Sequence, residues 1–136
     1  MKIILFKDII MPKKAHLDDS GIDVFIPETF ELLPFETKVI GLGFGIEVPE
    51  GYTGMFVPRS SSAKKGLIIQ TSLIDRGYTG EVHLIITNCS QNIIKIEQGQ
   101  RVSSLLIYPI LNPSFEIVTE LEQTERSSNG LGSSGK

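Results

Sequence analysis

The segment from Leu73 to Gly80 has the residue types of a catalytic turn. It lies between two apolar runs and places the carboxylate of Asp75 three residues before the ring of Tyr78. A carboxylate at the end of a strand can orient and deprotonate a water, and an adjacent ring can form the flat wall of a sugar or base pocket. The same residues also fit an ordinary hairpin loop, in which the aspartate makes an Asx-turn and the tyrosine points outward. Both interpretations are open for this segment taken alone.

Two further segments carry residues suited to phosphate. Arg59, Ser60 and Ser61 follow Pro58 shortly before the turn, and the chain ends in a glycine- and serine-rich stretch that begins at Arg126. A guanidinium group is a rigid fork of donors that matches phosphate oxygens, and a neighbouring hydroxyl adds one more donor. Backbone N–H groups of a glycine-rich tail can wrap around an anion. Each segment alone is a weak signal, because such a tail is more often a flexible end.

Five short motifs, taken in order, give the chain its resemblance to a known family. They are Ser20 to Val24, Pro58 to Ser60, Leu73 to Gly80, Gly99 to Arg101, and the tail from Arg126. In this order they resemble the motifs of the trimeric dUTPase family, and they extend from residue 20 to the C-terminus. The third motif is specific, whereas the first and fourth are weak singly.

The resemblance implies hydrolysis of dUTP to dUMP and pyrophosphate, a reaction that keeps uracil out of DNA and supplies dUMP for thymidylate synthesis. It assigns Asp75 to orient and activate the attacking water, and Arg59, Ser60 and Ser61 to bind phosphate oxygens. It also implies Mg²⁺ as cofactor, held mainly by the triphosphate. Asp23 would then lie in the water network around the metal.

Substrate selectivity is implied for other positions of the same motifs. Tyr78 would pack against the deoxyribose and leave no room for a 2′-hydroxyl, while backbone groups around Leu73 and Ile74 would read uracil. Arg126 and the tail would close over the γ-phosphate. Discrimination of this kind is strong, because a mismatched substrate leaves polar groups unpaired.

Several positions depart from the family's usual pattern. The aromatic residue that stacks on the base is replaced by Leu131, which precedes Gly132 in the tail's substrate-binding stretch. Ser61 and Ser72 stand where the family usually has glycine, and Ser104 stands where it has a glutamine that contacts phosphate. Leucine lacks comparable π contact, so we expect weaker closure of the tail.

Hydrophobic periodicity predicts an all-β chain. Apolar residues alternate with others from Ile40 to Val48 and from Val82 to Ile86, which is the period of strands with one buried face. Further short strands are predicted at 3–6, 54–57, 67–70, 93–96, 102–108 and 115–118, and one short helix at Ser61–Lys65. We expect Ser60 or Ser61 to cap that helix. Many short strands predict a sandwich or a closed jelly-roll-like barrel.

The resemblance adds a β-clip type of barrel and a homotrimer whose sites each collect residues from three subunits. With 136 residues the chain has room for one domain. We expect residues 1–122 to form a β-barrel nucleotide-hydrolase domain. Residues 123–136 are predicted to form a flexible Gly/Ser-rich arm that closes over a neighbouring active site.

The composition and charge of the chain limit the classes of partner that it can bind. Thirteen Lys and Arg against sixteen Asp and Glu give a net charge of −3 and a pI near 5.4. These values argue against direct nucleic-acid binding, which favours basic domains. No run approaches membrane-spanning length, so no membrane association is predicted. The single cysteine, Cys89, excludes an intrachain disulfide and favours a reducing, cytoplasmic location.

Other functions fit parts of the pattern. The dCTP deaminases have a similar Arg-Ser-Ser segment, but their general acid/base glutamate would fall near Ile85, and without it deamination has no proton shuttle. The stretch from Gly130 to Lys136 matches the start of a P-loop but lacks the following hydroxyl residue and helix. The alternative that stays open is a nucleotide-sensing or protein-binding relative of the dUTPase and dCTP deaminase superfamily with weak or no catalysis.

Overall fold

A computed structural model describes residues 1–124, which form eleven strands and one short helix. In chain order these are β1 Ile3–Leu5, β2 Ile22–Val24, β3 Phe30–Leu32, β4 Thr37–Gly41, β5 Phe44–Ile46, β6 Tyr52–Pro58, α1 Ser60–Lys64, β7 Leu67–Ile69, β8 Leu73–Ile74, β9 His83–Asn88, β10 Ile94–Ile96 and β11 Ser103–Pro109. The predicted all-β class is confirmed, and the architecture is the jelly-roll-like β-clip barrel. No helix in the described part of the chain is long and apolar enough to cross a membrane.

The strands pair antiparallel in four small sheets. The largest has the order β2-β11-β6-β8, and a three-stranded sheet has the order β4-β9-β7. Two further pairs, β1 with β5 and β3 with β10, complete the barrel. The longest register runs along β6 and β11, from Pro58 opposite Ser103 to Tyr52 opposite Pro109. Strand β6 therefore connects the two ends of the molecule that carry the candidate site residues.

Alternating apolar side chains from most strands fill one core. Leu42, Phe44, Ile46 and Val48 all point into it, as their spacing predicts. The other fully buried large side chains are Ile26, Leu32, Phe56, Leu84, Ile86, Ile96 and Leu105, with Val24 and Val102 beside them. Because these residues come from both halves of the chain, the core holds the site-bearing loops in fixed positions.

The alternation from Ile40 to Val48 predicts one long strand, and this prediction is wrong. The segment is divided into β4 and β5 by Leu42 and Gly43, and Gly43 has a φ of +79°. That conformation is strained for any residue with a Cβ, so glycine determines where the strand breaks. Both halves still keep the same face buried.

The other predicted strands agree with the structure within two residues at either end, with one exception. Residues 115–118 form no strand in the described chain, and Phe115 and Ile117 are almost fully exposed. A strand needs a neighbour for its backbone groups, and the described residues supply none there. Three short strands, β2, β3 and β8, are not predicted by the sequence pattern.

Candidate functional site

Residues 75–80, which we call the acidic turn, follow the end of an edge strand. Strand β8 pairs with β6 through Ile74 opposite Gly54, and it lies at the edge of its sheet. The turn is closed by the Tyr78 amide, which donates to the Asp75 carbonyl at 3.0 Å. The Asp75 carboxylate is exposed and makes no hydrogen bond with any described residue. It is therefore free to accept a hydrogen bond from a water or a ligand.

A cavity of about 200 Å³ opens beside this turn, between β8 and β9. Its walls are Ser72, Leu73, Ile74, Asp75, Tyr78, Glu81, Val82, His83 and Ile85. An edge strand such as β8 presents backbone N–H and C=O groups that no neighbouring strand takes. The cavity thus combines a backbone edge, an aromatic ring and a free carboxylate.

The tyrosine ring is held in place by its hydroxyl. Tyr78 donates from its Oη to the Glu81 carbonyl at 2.7 Å, and 44% of the residue is exposed. The ring lies directly over Gly80, where a Cβ would come within 2.7 Å of the Tyr78 Oη. Gly80 is therefore required for the ring's position, which forms one wall of the cavity.

A second cluster, the arginine cluster, consists of Asp23, Arg59 and Arg101. Asp23 on β2 is 5% exposed, and its Oδ2 accepts from Arg101 at 2.7 Å while its Oδ1 accepts from Arg59. Ser104 also donates to Oδ1, at 3.4 Å. A buried carboxylate needs such partners, and two guanidinium groups on one carboxylate leave a net positive charge. Both arginines keep exposed surface, so their remaining donors are available to an anion.

The two predicted phosphate-binding serines lie at the start of α1. Ser60 and Ser61 are exposed and follow Arg59, the extended residue that precedes the first turn. The prediction that Ser60 or Ser61 caps the helix is wrong, because Arg59 occupies the cap position and no side chain accepts there. Arg59 is extended because it directly follows strand β6, and the hydroxyl groups of Ser60 and Ser61 therefore have no capping role.

The described chain does not bring the two groups of residues together. Arg59 follows the carboxyl end of β6, whereas Ile74 pairs with Gly54 near the other end of that strand. Four residues, 55–58, lie between Gly54 and Arg59, and this length of strand separates the arginine cluster from the acidic turn by roughly 15–20 Å. A single phosphate cannot touch both groups in one copy of the chain.

Metal ligands are sparse in the described chain. No group of three His, Cys, Asp or Glu residues within residues 1–124 could hold a metal ion. Both oxygens of Asp23 are engaged by arginines, so its part in a water network around Mg²⁺ stays a prediction. The remaining predicted ligands, Arg126, Leu131 and Gly132, lie outside the described residues.

The sequence assigns no role to two residues of the candidate site, Arg101 and Glu81. Arg101 belongs to the fourth motif, but its contact with Asp23 depends on β2 pairing with β11, which no short-range pattern reveals. Glu81 lines the cavity and follows the third motif directly. The sequence signal for Glu81 is the alternation of glycines at 41, 43 and 45, because glycines within a strand indicate that another part of the chain approaches its backbone closely.

Comparison with known proteins identifies the family. The family model of dUTPase matches residues 7–135. The deoxyuridine 5′-triphosphate nucleotidohydrolase of Clostridium novyi is 36% identical over 141 aligned positions, covering 99% of both chains. The corresponding protein of Hydrogenobaculum sp. is also 36% identical, again over 99% of both chains. The chain therefore belongs to the dUTPase family.

Solved structures agree with this assignment. The dUTPase of Staphylococcus bacteriophage 80alpha, determined with dUpNHpp, superposes with a TM-score of 0.93 at 32% identity, covering 99% of this chain and 98% of that one. A point mutant of the dUTPase from phage phi11 of S. aureus superposes with a TM-score of 0.84 at 29% identity, over 90% of this chain and 98% of that one. That structure concerns the coordination of a structural Mg(II) ion.

Proposed function

We propose that this protein hydrolyses dUTP to dUMP and pyrophosphate. The observation that carries the proposal is the cavity beside β8, where the free carboxylate of Asp75 and the ring of Tyr78 flank an open backbone edge. Membership of the dUTPase family and relatives named deoxyuridine 5′-triphosphate nucleotidohydrolase support it.

In the proposed reaction, Asp75 orients a water and takes its proton as the water oxygen attacks the α-phosphorus. The new P–O bond forms as the bond between the α-phosphorus and the bridging oxygen breaks, and pyrophosphate leaves with that oxygen. A general base must lie within hydrogen-bond reach of the proton it removes, and the unpaired Asp75 carboxylate is suited to this. Arg59 and Ser60, with Ser61 beside them, bind phosphate oxygens and offset the charge that develops there.

Selectivity for the substrate is assigned to the cavity walls. The backbone at Leu73 and Ile74 offers an edge that can pair with uracil, and the ring of Tyr78 excludes a 2′-hydroxyl. Ile85 also lines the cavity, so the position near which the deaminases have their glutamate is apolar here. This supports phosphoanhydride hydrolysis over deamination.

Magnesium is proposed to arrive with the triphosphate. The described residues offer no cage of carboxylates for Mg²⁺, and Mg²⁺ is commonly held by substrate phosphates with one or two protein groups. When bound, the ion offsets negative charge on the phosphates. Asp23 would act on it through water, while its main contacts hold the two arginines.

The proposed working form is a homotrimer whose active sites lie between subunits. The acidic turn and the arginine cluster lie roughly 15–20 Å apart along β6, and this separation supports a site in which a second copy brings them to one nucleotide. Apolar residues left uncovered also support contacts between copies, since large exposed apolar areas are uncommon in monomers. They include Leu111 at 91%, Phe115 at 95% and Ile117 at 100% exposure.

The end of the chain is proposed to be an arm that closes this site. Residues 1–122 would form the β-barrel domain, and residues 123–136 would extend to a neighbouring subunit. There Arg126 would contact the γ-phosphate, with Leu131 and Gly132 near the base. The cytoplasm is the proposed setting, since the lone thiol of Cys89 is suited to a reducing compartment.

The test is release of pyrophosphate from dUTP beside dCTP, dTTP and UTP, with Mg²⁺ present. We expect turnover of dUTP alone, and a decrease in kcat of roughly 10²–10⁴ for Asp75→Asn with binding retained, the usual contribution of a positioned base. Asp8→Asn, an exposed aspartate after β1, is the matched control and should behave as wild type. Tight dUTP binding without turnover would instead support the nucleotide-sensing alternative.

A further inference from the structure

Strands β4 and β5 are joined by a β-bulge that faces the acidic turn. The Leu42 amide donates to the Val82 carbonyl at 2.9 Å, while the Val82 amide donates to the Phe44 carbonyl at 2.8 Å. Gly43 lies between these two bonds with a φ of +79°. Its amide falls outside that ladder, as the extra residue of a bulge commonly does.

The carboxylate of Glu81 accepts a hydrogen bond from the Gly43 amide. Glu81 Oε1 accepts from Gly43 N at 2.8 Å in a partly buried position. The backbone carbonyl of the same glutamate accepts the Tyr78 hydroxyl at 2.7 Å. One residue therefore links the bulge to the aromatic wall of the cavity, and it lines that cavity together with Asp75.

This close contact is possible because Gly41 and Gly45 have no side chains. A Cβ on Gly41 would come within 2.6 Å of Glu81 Oε1, and a Cβ on Gly45 would come within 2.7 Å of the Gly80 carbonyl oxygen. The end of the turn is thus packed directly onto the backbone of β4 and β5. Gly43 therefore forms the bulge, while Gly41 and Gly45 leave room for the acidic turn to approach the strands closely.

We propose that Glu81 is a positioning residue for the hydrolysis, fixing the acidic turn on the bulge and thereby setting the places of Tyr78 and Asp75. The proposal rests on the function proposed above. Asp75 has no side-chain hydrogen bond within the described chain, so its location depends on how the turn is held. A displacement of about 1 Å in a reacting group can cost roughly 10²-fold in rate.

The first test compares Glu81→Ala with Glu81→Gln. We expect Glu81→Ala to lower kcat/KM for dUTP roughly 10- to 100-fold, the scale of one lost hydrogen bond to a charged group, and to raise the relative use of UTP. The decrease should lie mainly in kcat. Glu81→Gln keeps an acceptor for the Gly43 amide and should recover most of the activity and selectivity.

Gly41→Ala provides an independent test that leaves Glu81 in the chain. Its Cβ would meet the end of a flexible side chain, so the fold should persist while the carboxylate is displaced. We expect the same loss as in Glu81→Ala, and the double variant should be no worse than either single one. Hydrogen exchange at the Gly43 amide should accelerate in both single variants.

Glu36→Ala is the matched control, because the Glu36 carboxylate accepts from the Leu33 amide at 2.7 Å in a loop away from the cavity. Its kinetics should equal those of wild type. Active wild-type enzyme with unchanged kcat and UTP use in Glu81→Ala and Gly41→Ala would overturn the positioning role, even if their melting temperatures fall. Inactive wild-type enzyme would overturn the proposed function itself.

Discussion

A single side chain, Tyr78, combines a proposed steric role toward the sugar with a hydrogen bond to the Glu81 carbonyl, and substitutions can separate the two. We expect Tyr78→Ala to raise the UTP/dUTP ratio of kcat/KM by roughly 10- to 200-fold, the range for reshaping an apolar wall. Tyr78→Phe keeps the wall but loses the 2.7 Å bond to Glu81, so it should change the ratio much less. Steady-state kinetics with both nucleotides measures this.

Phe35→Ala is a suitable control for the loss of a ring, since Phe35 is 68% exposed on the loop before β4. The UTP/dUTP ratio of kcat/KM in Phe35→Ala should match that of wild type. An unchanged ratio in Tyr78→Ala would show that another residue excludes the ribose hydroxyl.

Asp23 shows how one buried residue can orient others. Its 5% exposure would be costly for an unpaired carboxylate, but the two arginines on its two oxygens supply the required partners. In return the guanidinium groups are held at fixed angles, with exposed surface directed to solvent. A preorganised pair of this kind loses less entropy when it binds phosphate.

At the scale of elements, the connection between β4 and β5 requires glycine at position 43 for two reasons, its left-handed backbone and its lack of space for a Cβ. Gly43 has a φ of +79°, and a Cβ there would come within 2.6 Å of Ile9 Cγ2. Gly51 shares only the first property, because its φ is +76° but a Cβ there would meet nothing within 4 Å. We expect Gly51→Ala to lower the free energy of unfolding by about 1–2 kcal/mol, the cost of the left-handed backbone. Gly43→Ala should lower it by more, measured by urea denaturation.

The difference between the two variants isolates the steric contact, because the backbone strain is common to both. Equal losses would show that Ile9 moves aside at no cost.

The proposed C-terminal arm can be tested as a unit. Removing residues 125–136 should leave the melting temperature near that of wild type, because every buried core side chain of the described chain precedes residue 106. The kcat/KM for dUTP should fall roughly 10²-fold or more, as when donors to a developing charge are removed. Arg126→Ala should reproduce part of the loss. Full activity in the shortened protein would contradict the arm's role.

At the scale of the whole molecule, the separation of the acidic turn from the arginine cluster predicts complementation. Asp75→Asn and Arg59→Ala should each be nearly inactive alone. Refolded together in equal amounts, they should recover about one quarter of wild-type activity, since random assortment in a symmetric oligomer unites an intact turn with an intact cluster in that share of sites.

An affinity tag on the Asp75→Asn subunit alone provides the control for subunit exchange, because it should retain untagged Arg59→Ala subunits once the oligomers have exchanged. Ultracentrifugation gives the number of subunits. Absence of recovery in an exchanged oligomer would show that one copy supplies both groups, contrary to the proposal.

The sequence by itself determined the fold class and the local geometry of the acidic turn. Period-two alternation depends on neighbouring residues, so the β class and the buried face of residues 40–48 could be predicted correctly. The acidic turn could also be predicted, because Asp75, Tyr78 and Gly80 lie within six residues and their relation is set by one turn. Membership of the family followed from the order of five such short motifs.

Only the tertiary structure decided which of these motifs meet. Asp23 and Arg101 are 78 positions apart and meet because β2 pairs with β11, a long-range register that no local period encodes. The break at Gly43 and the contact of Glu81 with its amide, 38 positions away, arise from strand pairing in the same way. The separation of roughly 15–20 Å along β6 between the acidic turn and the arginine cluster likewise follows from the sheet order. Local physics therefore determined what each segment can do, and the pairing of distant strands determined which segments act together.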